Sequence, residues 1–373
     1  MKVLYIFRSL AVWGGIERVL VDKMNWLVSK TSIDVNMLTS DQGEHPIPYR
    51  LDERIHIEDL NINFHRKYRY NAFRRIVIAH QMRQKYIRLL TNRIQYIHPD
   101  IIVCTTAEQL DVITGISENI PLIVESHSIC NRTIEQGKNV LLRNYYRYFF
   151  LKSLVKVDCV VSLTEGDAIE WRKYHRNVKV IPNLLHPGES RLSFLVSKRV
   201  IWIGRLDYQK RADVALSIWR LVVQKHPEWC LDIYGEGEME SDIKTKASLM
   251  NNTFVHKPTE QIFDSYLDSS ILISTSLFEP FGLVIVEAMS CGLPVVAFDC
   301  PYGPADIITD TVDGFLVPFD NIHFFANRLC LLIEDVSLRK RMGQAAFVSS
   351  KKYDANRIIP KWEALFDELV KKQ

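Results

Sequence analysis

Ser274-Thr275-Ser276-Leu277-Phe278-Glu279-Pro280-Phe281-Gly282-Leu283-Val284-Ile285-Val286-Glu287-Ala288-Met289-Ser290-Cys291-Gly292-Leu293-Pro294-Val295-Val296 reads as strand end, loop, helix and next strand. The strand closes near Ser274. A helix starts near Leu283 and stops at Gly292, and Pro294 opens the following strand. The first helical turn offers free backbone N–H groups and the positive end of a dipole, a site suited to a diphosphate. Gly282 lets backbone approach a ligand closely. Glu279 lies in the loop and Glu287 about one turn into the helix, so both can point toward the same side of the strand ends. A carboxylate accepts hydrogen bonds from two adjacent hydroxyls, as a ribose or hexose presents. The plain alternative is that both are solvated loop and helix residues.

Outward from this stretch the chain alternates short apolar runs with helical patterns. Strands are expected at Val3–Phe7, Ile33–Leu38, Ile101–Cys104, Leu122–Glu125, Cys159–Ser162 and Val178–Ile181. They lack polar alternation, as strands buried on both faces of a parallel sheet do. Helices are expected at Glu17–Val28 and Ala168–Tyr174. The proline- and glycine-bearing run 181–190 is the linker candidate. Strands then resume at Arg199–Ile203, Leu231–Tyr234, Phe254–His256, Ile271–Ser274, Pro294–Ala297 and Phe315–Val317. Helices fall at Ala212–Lys225, Gln261–Leu267, Leu283–Ser290 and Phe324–Glu334. This pattern implies two doubly wound α/β domains, 1–184 and 185–355, facing each other across a cleft that would hold the ligands. The segment 356–373 carries Ile358, Ile359, Trp362, Leu365, Phe366 and Leu369 on one helical face and is expected to cross back onto the first domain.

Composition bounds the class. The chain has 373 residues, 47% hydrophobic and 24% charged, with a formal net charge of +3. That is the balance of a folded water-exposed protein. No run approaches a membrane span, and the start lacks a signal cleavage site. Seven scattered cysteines with no C-x-x-C pair point to reduced thiols and a cytoplasmic location. The sequence shows no Asp-x-Asp after a strand and no His/Cys cluster, so no metal and no cofactor are expected.

The pair Glu279 and Glu287 around Phe-Gly-Leu, followed by Glu-Ala-Met-Ser-Cys-Gly-Leu-Pro-Val-Val, resembles the E-x7-E motif of the retaining GT-B glycosyltransferases of family 4, the group 1 transferases. The resemblance covers the whole chain. It implies a GT-B fold and transfer of a sugar from a nucleotide diphosphate donor with retention of configuration. UDP is the favoured base, with GDP second. It further implies that Glu287 binds the donor ribose and that Glu279 lies near the transferred sugar. Backbone at Phe281, Gly282 and Leu283 would then hold sugar hydroxyls and phosphate.

Other loops fit the same resemblance. Ile203-Gly204-Arg205-Leu206-Asp207-Tyr208-Gln209-Lys210-Arg211 is similar to the family's Gly-Arg-Leu…Lys segment, in which Arg205 and Lys210 would neutralise the donor phosphates and the leaving diphosphate. Arg211 reads as a solvated neighbour. Trp13-Gly14-Gly15-Ile16-Glu17 resembles the Gly-Gly-x-Glu loop that reaches donor phosphate or acceptor. Glu17 can instead cap its helix. His127, after strand Leu122–Glu125, matches a family histidine near the reacting sugar. Tyr234-Gly235-Glu236-Gly237-Glu238 resembles a donor-facing loop, though simple loop packing explains its glycines equally. Gly303-Pro304-Ala305-Asp306-Ile307-Ile308 resembles a segment of transferases of cell-surface polysaccharide pathways.

From Leu60 to Pro99 there are nine Lys or Arg and no Asp or Glu, with Phe64, Tyr68, Tyr70 and Phe73 interleaved. The stretch 142–152 mixes Arg143, Arg147 and Lys152 with five aromatics. Such segments suit an anionic membrane surface. A glycan or lipid-linked acceptor at the inner face of the membrane, in lipopolysaccharide or other polysaccharide synthesis, would explain their place in the first half. A solvated face with core aromatics is the alternative, and nucleic acid is not expected. Competing functions are a phosphorylase, a nucleotide-sugar epimerase and a non-catalytic sugar-nucleotide-binding protein. A dehydrogenase is disfavoured because the first βα turn lacks G-x-G-x-x-G.

Overall fold

A computed structural model describes residues 1–105, 109–117, 119–135, 139–185 and 191–372. The last five positions of the linker candidate, 186–190, lie outside the described residues. The chain forms two compact units. The first is Met1–Leu163, Asp167–Leu184 and the segment from Ala355 on; the second is Thr164–Gly166 and Leu185–Asp354.

In chain order the first unit holds β1 (Lys2–Phe7), α1 (Gly15–Lys30), β2 (Asp34–Thr39), β3 (His56–Asp59), α2 (Ala72–Ile97), β4 (Ile101–Cys104) and α3 (Leu110–Ile116). There follow β5 (Leu122–Glu125), α4 (Cys130–Ile134), α5 (Val140–Leu154), β6 (Cys159–Ser162), α6 (Glu165–Trp171) and β7 (Val178–Val180). Its seven parallel strands run β3-β2-β1-β4-β5-β6-β7. Successive side chains of β1 feed opposite cores. Val3, Tyr5 and Phe7 pack with α1, whereas Leu4 and Ile6 pack with Tyr86, Leu90 and Ile94 of α2. Both faces are covered, which is why the strands carry no polar alternation.

The second unit holds β8 (Arg199–Ile203), α7 (Ala212–Val223), β9 (Cys230–Tyr234), α8 (Glu240–Ser248), β10 (Thr253–His256), α9 (Ile262–Leu267) and β11 (Ile271–Ser274). After these come α10 (Leu283–Ser290), β12 (Val295–Phe298), α11 (Gly303–Ile307), β13 (Gly314–Val317), α12 (Ile322–Glu334) and α13 (Val336–Ser350). Its six parallel strands run β10-β9-β8-β11-β12-β13. The last helix, α14 (Ala355–Val370), belongs to the first unit. Its Ile358, Ile359, Trp362, Leu365, Phe366 and Leu369 share one core with Val3, Tyr5, Ile101 and Ile123.

The pattern of apolar runs misses β3 and several helices. β3 is a half-exposed edge with the polar sequence His56-Ile57-Glu58-Asp59. α2 buries only Tyr86, Leu90 and Ile94 in 26 residues, too thin a stripe to stand out. The helices α5, α8 and α13 escaped as well. The helix expected at Ala168–Tyr174 begins instead at Glu165, and 172–174 continue only as a turn in which Tyr174 N–H reaches Trp171 O at 2.9 Å.

Trp362 is 1% exposed and central to the first unit's core. Trp362→Ala should cost about 3–5 kcal/mol, whereas exposed Lys361→Ala on the same helix should be near neutral. Urea unfolding of both variants checks this, and equal midpoints would count against α14 as part of that core.

Candidate functional site

In the second unit the strand order reverses between β8 and β11, the point where doubly wound sheets bind ligands. Parallel strands send their following loops out at the same edge, and here the two loops are zipped together. Leu277 N–H donates to Gln209 O (2.8 Å), and Gln209 Nε2 to Phe278 O (3.2 Å). Thr275 Oγ1 donates to the carbonyls of Lys210 and Arg211 while accepting from Trp202 Nε1. The zipper brings Lys210 Nζ to 2.5 Å from Glu279 Oε2, which also accepts from Ser276 Oγ at 3.1 Å. Their side chains are 16% and 9% exposed. Arg205, 69% exposed, is held by Asp207 and Gln209, both at 3.1 Å. Arg211 is not the solvated neighbour expected from sequence. It pairs with Asp320 at 2.7 Å and lies over Phe319, since α7 begins there and turns the side chain inward.

The loop after β11 is fixed through its backbone. Glu279 N–H donates to Pro301 O, and Glu279 O accepts from Tyr302 and Gly303. A side chain at Gly303 would strike Phe281 O, so glycine is required there. Gly282 caps α10 at φ +107°, a conformation glycine reaches without strain. The first bonds of α10 run from Ile285 and Val286 back to Gly282 O, so the Leu283 and Val284 amides precede the first closed turn. Glu287 is buried, and Tyr266 Oη donates to its Oε2 at 3.0 Å. Glu279 is thus engaged from the loop after β8 and Glu287 from α9. The glycines of 234–238 have a packing reason: a Cβ at Gly235 would meet Gly204 O, and one at Gly237 would meet Leu206 O. A cavity of about 630 Å³ in this unit is lined by Arg199, Asp232, Tyr234 and Asp264 among others, and takes in none of Arg205, Lys210, Glu279 or Glu287.

In the first unit a cavity of about 710 Å³ opens at the carboxyl ends of β1, β4 and β5. Its wall includes Arg8, Glu17, Asp41, His45, His65 and His127. Gly14 caps α1, and a Cβ there would sit 2.1 Å from Glu17 Oε2, so the Glu17 carboxylate folds back over the helix start. Gly15 is unconstrained in this way. Below His127 lies a buried charge network. Lys23 from α1 and Glu125 from the end of β5, 1% and 2% exposed, form an ion pair. The His127 Nε2 stands 3.4 Å from the other Glu125 oxygen, an ion-pair distance. Burial pushes the Glu125 carboxyl up, but Lys23 and then His127 outweigh it and hold it at about 2. An ionised carboxylate only accepts, so it favours an N–H on the His127 Nε2 that faces it and turns Nδ1 away from it.

Sequence reasoning missed Asp41, His45 and His65. Asp41 is fixed by Ser40 Oγ at 2.8 Å and His65 Nδ1 at 3.3 Å. Asp41 and His45 follow the expected strand β2 but carry no motif, and His65 follows the unrecognised edge strand β3. The absence of a His/Cys cluster also needs correction. His226, Cys330 and Glu334 place a nitrogen, a sulfur and an oxygen within 4.8 Å of one another.

Two doubly wound units, each with polar loops at its carboxyl edge, are the GT-B architecture. The chain matches the family described as "Glycosyltransferase Family 4" over 13–188 and "Glycosyl transferases group 1" over 192–348. It belongs to the group 1 glycosyltransferases. It is 28% identical over 373 residues, 98% of this chain and 99% of the relative, to an uncharacterized glycosyltransferase of Haemophilus influenzae. It is 35% identical over 172 residues to the amylovoran biosynthesis glycosyltransferase AmsD of Erwinia amylovora, covering 45% of this chain and about half (48%) of AmsD. Staphylococcus aureus TarM, solved as a mutant with fondaparinux, alpha-GlcNAc-glycerol and UDP, superposes with a TM-score of 0.79 at 18% identity, covering 98% of this chain and 99% of TarM.

Because Glu125 is depressed from 4.5 to about 2, its stabilisation is complete above pH 4.5 and is lost as pH falls toward 2. Across that window it amounts to about 3 kcal/mol. Lys23→Met, which strands the carboxylate, should destabilise by about 3–5 kcal/mol at pH 7, and adding Glu125→Gln should recover most of it. Denaturant titrations between pH 2 and 7 measure both, and a single variant as stable as wild type would remove the pair from this account.

Proposed function

We propose that this protein is a retaining, metal-independent hexosyltransferase that draws on a UDP-sugar and extends a glycan or lipid-linked acceptor in cell-surface polysaccharide synthesis. The observation that carries this reading is Lys210 and Glu279 meeting at the switch point beside the first turn of α10. In this reading the donor diphosphate takes Lys210 from Glu279 and adds Arg205, and the Gly282 and Leu283 amides cap its charge. Glu287 receives the ribose hydroxyls, and Glu279 and the Phe281 backbone receive the sugar. The acceptor oxygen bonds to the anomeric carbon on the face that the diphosphate leaves, and its proton passes to the departing phosphate oxygen. The protein supplies position and charge. His127 presents Nδ1 to a sugar hydroxyl, and the Gly14–Gly15 turn lies between Val12 and Ile16, which line the same cavity. UDP in the TarM structure and the amylovoran role of AmsD support donor and pathway class.

Glu287→Ala and Lys210→Ala should each lower donor affinity or turnover at least tenfold, about 1.4 kcal/mol. Full activity should survive EDTA. A screen of UDP-, GDP- and ADP-sugars by thermal shift and turnover tests the donor. Wild-type kinetics in both variants would remove the phosphate and ribose assignments, and activity lost to EDTA and restored by Mn²⁺ would overturn the metal-free mechanism.

We further infer peripheral contact with an anionic membrane, on the cytoplasmic side. Among the described residues no helix is long and apolar enough to cross a membrane. Part of the basic run is committed internally: Arg83 pairs with Asp111 and Arg93 with Glu58, both at 2.6 Å. Lys85 donates to the Asn61 carbonyl and Arg88 lies further along α2, whereas Arg66, Lys67, Arg69, Arg74 and Arg75 cluster around Phe64–Arg69 and the first turn of α2, beside exposed Tyr68, Phe73 and Ile76. α5 adds exposed Leu141, Tyr145 and Tyr148, and both helices pack against α3. Each cation near such a surface contributes about 1 kcal/mol, screened over about 8–10 Å. Vesicle co-sedimentation should rise with anionic lipid and fall with salt, and Arg69, Arg74 and Arg75 changed together to Glu should abolish it with donor hydrolysis intact. Indifference to anionic vesicles at low salt would return the run to a solvated face.

A further inference from the structure

α7 leaves the carboxyl edge of the second sheet after the Lys210 loop and descends to the amino edge, where β9 begins. α12 descends likewise after β13 and packs beside α7. Their lower ends meet at His226, three residues beyond α7, and at Cys330 and Glu334, one turn apart on α12. Residues i and i+4 share a helical face, so thiol and carboxylate project together. The turn holding His226 is fixed by its N–H to Val222 O and by Trp229 N–H to its carbonyl, at 3.0 and 3.1 Å. Its side chain is 14% exposed.

We propose that His226 Nε2, Cys330 Sγ and a Glu334 carboxylate oxygen form a three-ligand site for one zinc-type divalent cation, completed by solvent, that clamps the end of α7 to α12. The donor set is imidazole, thiol and carboxylate, the chemistry that selects Zn²⁺ over Mg²⁺ or Ca²⁺. His226 Nε2 and Glu334 Oε1 stand 3.0 Å apart. Bonds of about 2.0–2.1 Å at a tetrahedral angle require about 3.3 Å. The sulfur lies within 4.8 Å of both against the roughly 3.6 Å required, so a side-chain adjustment of about 1 Å closes the site. Burial pushes the Cys330 thiol up; Lys225 pulls it down and Glu334 pushes it up further, so the cation must displace the thiol proton to solvent. Thiolate and carboxylate then balance the ion's two charges. The site lies at the opposite edge of the sheet from Lys210 and Glu279, so its loss should leave sugar transfer intact.

Chelator-treated full-length protein should bind one equivalent of Zn²⁺ in competition with a chromophoric chelator, and its thermal midpoint should rise by several degrees. Co²⁺ should give a near-ultraviolet thiolate-to-metal band. Cys330→Ser should abolish that band, and His226→Gln should weaken Zn²⁺ binding at least tenfold. Exposed Glu334→Gln, the variant least able to disturb folding, should also weaken it while leaving metal-free stability near wild type. No Zn²⁺ uptake, or uptake and a cobalt band unchanged in Cys330→Ser and Glu334→Gln, would overturn the site and leave a His226–Glu334 hydrogen bond.

Discussion

The first unit is organised around a cation that an amphipathic helix would ordinarily keep in water. Lys23 occupies a core-facing position of α1, with its ammonium 4.1 Å from the Trp362 ring and 5.3 Å from that of Tyr5. Desolvating it together with Glu125 costs several kcal/mol per ion, a cost that only close pairing and aromatic faces offset. An apolar pair of equal volume would satisfy stability as well. What the ion pair adds is position. It ties α1, β1, the end of β5 and α14 to one point, and it keeps an anion beneath His127. It also explains why the chain returns to the first unit after completing the second, since Trp362 supplies one wall of the ammonium's box.

The Lys210–Glu279 pair has the same chemistry with a different accessibility. Its side chains are 16% and 9% exposed, against 1% and 2% for the buried pair. A solvent-reachable pair at a strand-end loop can exchange partners when an anion arrives, whereas the buried one cannot. The loops carrying it are held by backbone hydrogen bonds, so partner exchange need move only side chains. Rigid loops with an exchangeable ion pair are the arrangement expected of a preformed phosphate site.

The sheets were legible because most central strands are dominated by apolar residues on both faces, and the Glu279–Glu287 segment was legible because its turn chemistry is compressed into one βαβ step. The rest depended on tertiary placement. β3 is a polar edge whose position is set by pairing with β2 and not by its own pattern. Arg211 looked solvated because the Asp320 and Phe319 that hold it lie far along the chain. Glu287 could be placed on its helix, but not against Tyr266, which comes from α9. The His226–Cys330–Glu334 cluster was invisible for a related reason. Its members meet only because α7 and α12 both run down the same side of the sheet, a consequence of right-handed βα crossovers that no local spacing encodes.

The same dependence on placement separates the nine cations between Leu60 and Pro99. Arg83, Lys85 and Arg93 lie in the later turns of α2 and find Asp111, the carbonyl of Asn61 and Glu58. Arg74 and Arg75 instead occupy the first turn of α2, which contains no acidic residue. A helix start carries partial positive charge, so cations there work against the dipole. Asn71 satisfies one amide through Arg74 N–H at 3.0 Å but leaves the charge unopposed. Exposed Phe73 and Ile76 flank the same turn, so the residues that disfavour this helix start in water are those that would favour it against an anionic, partly apolar surface. Charge and apolar exposure thus coincide at one end of one helix, and the electrostatic cost there becomes an attraction when the countercharge comes from outside the chain.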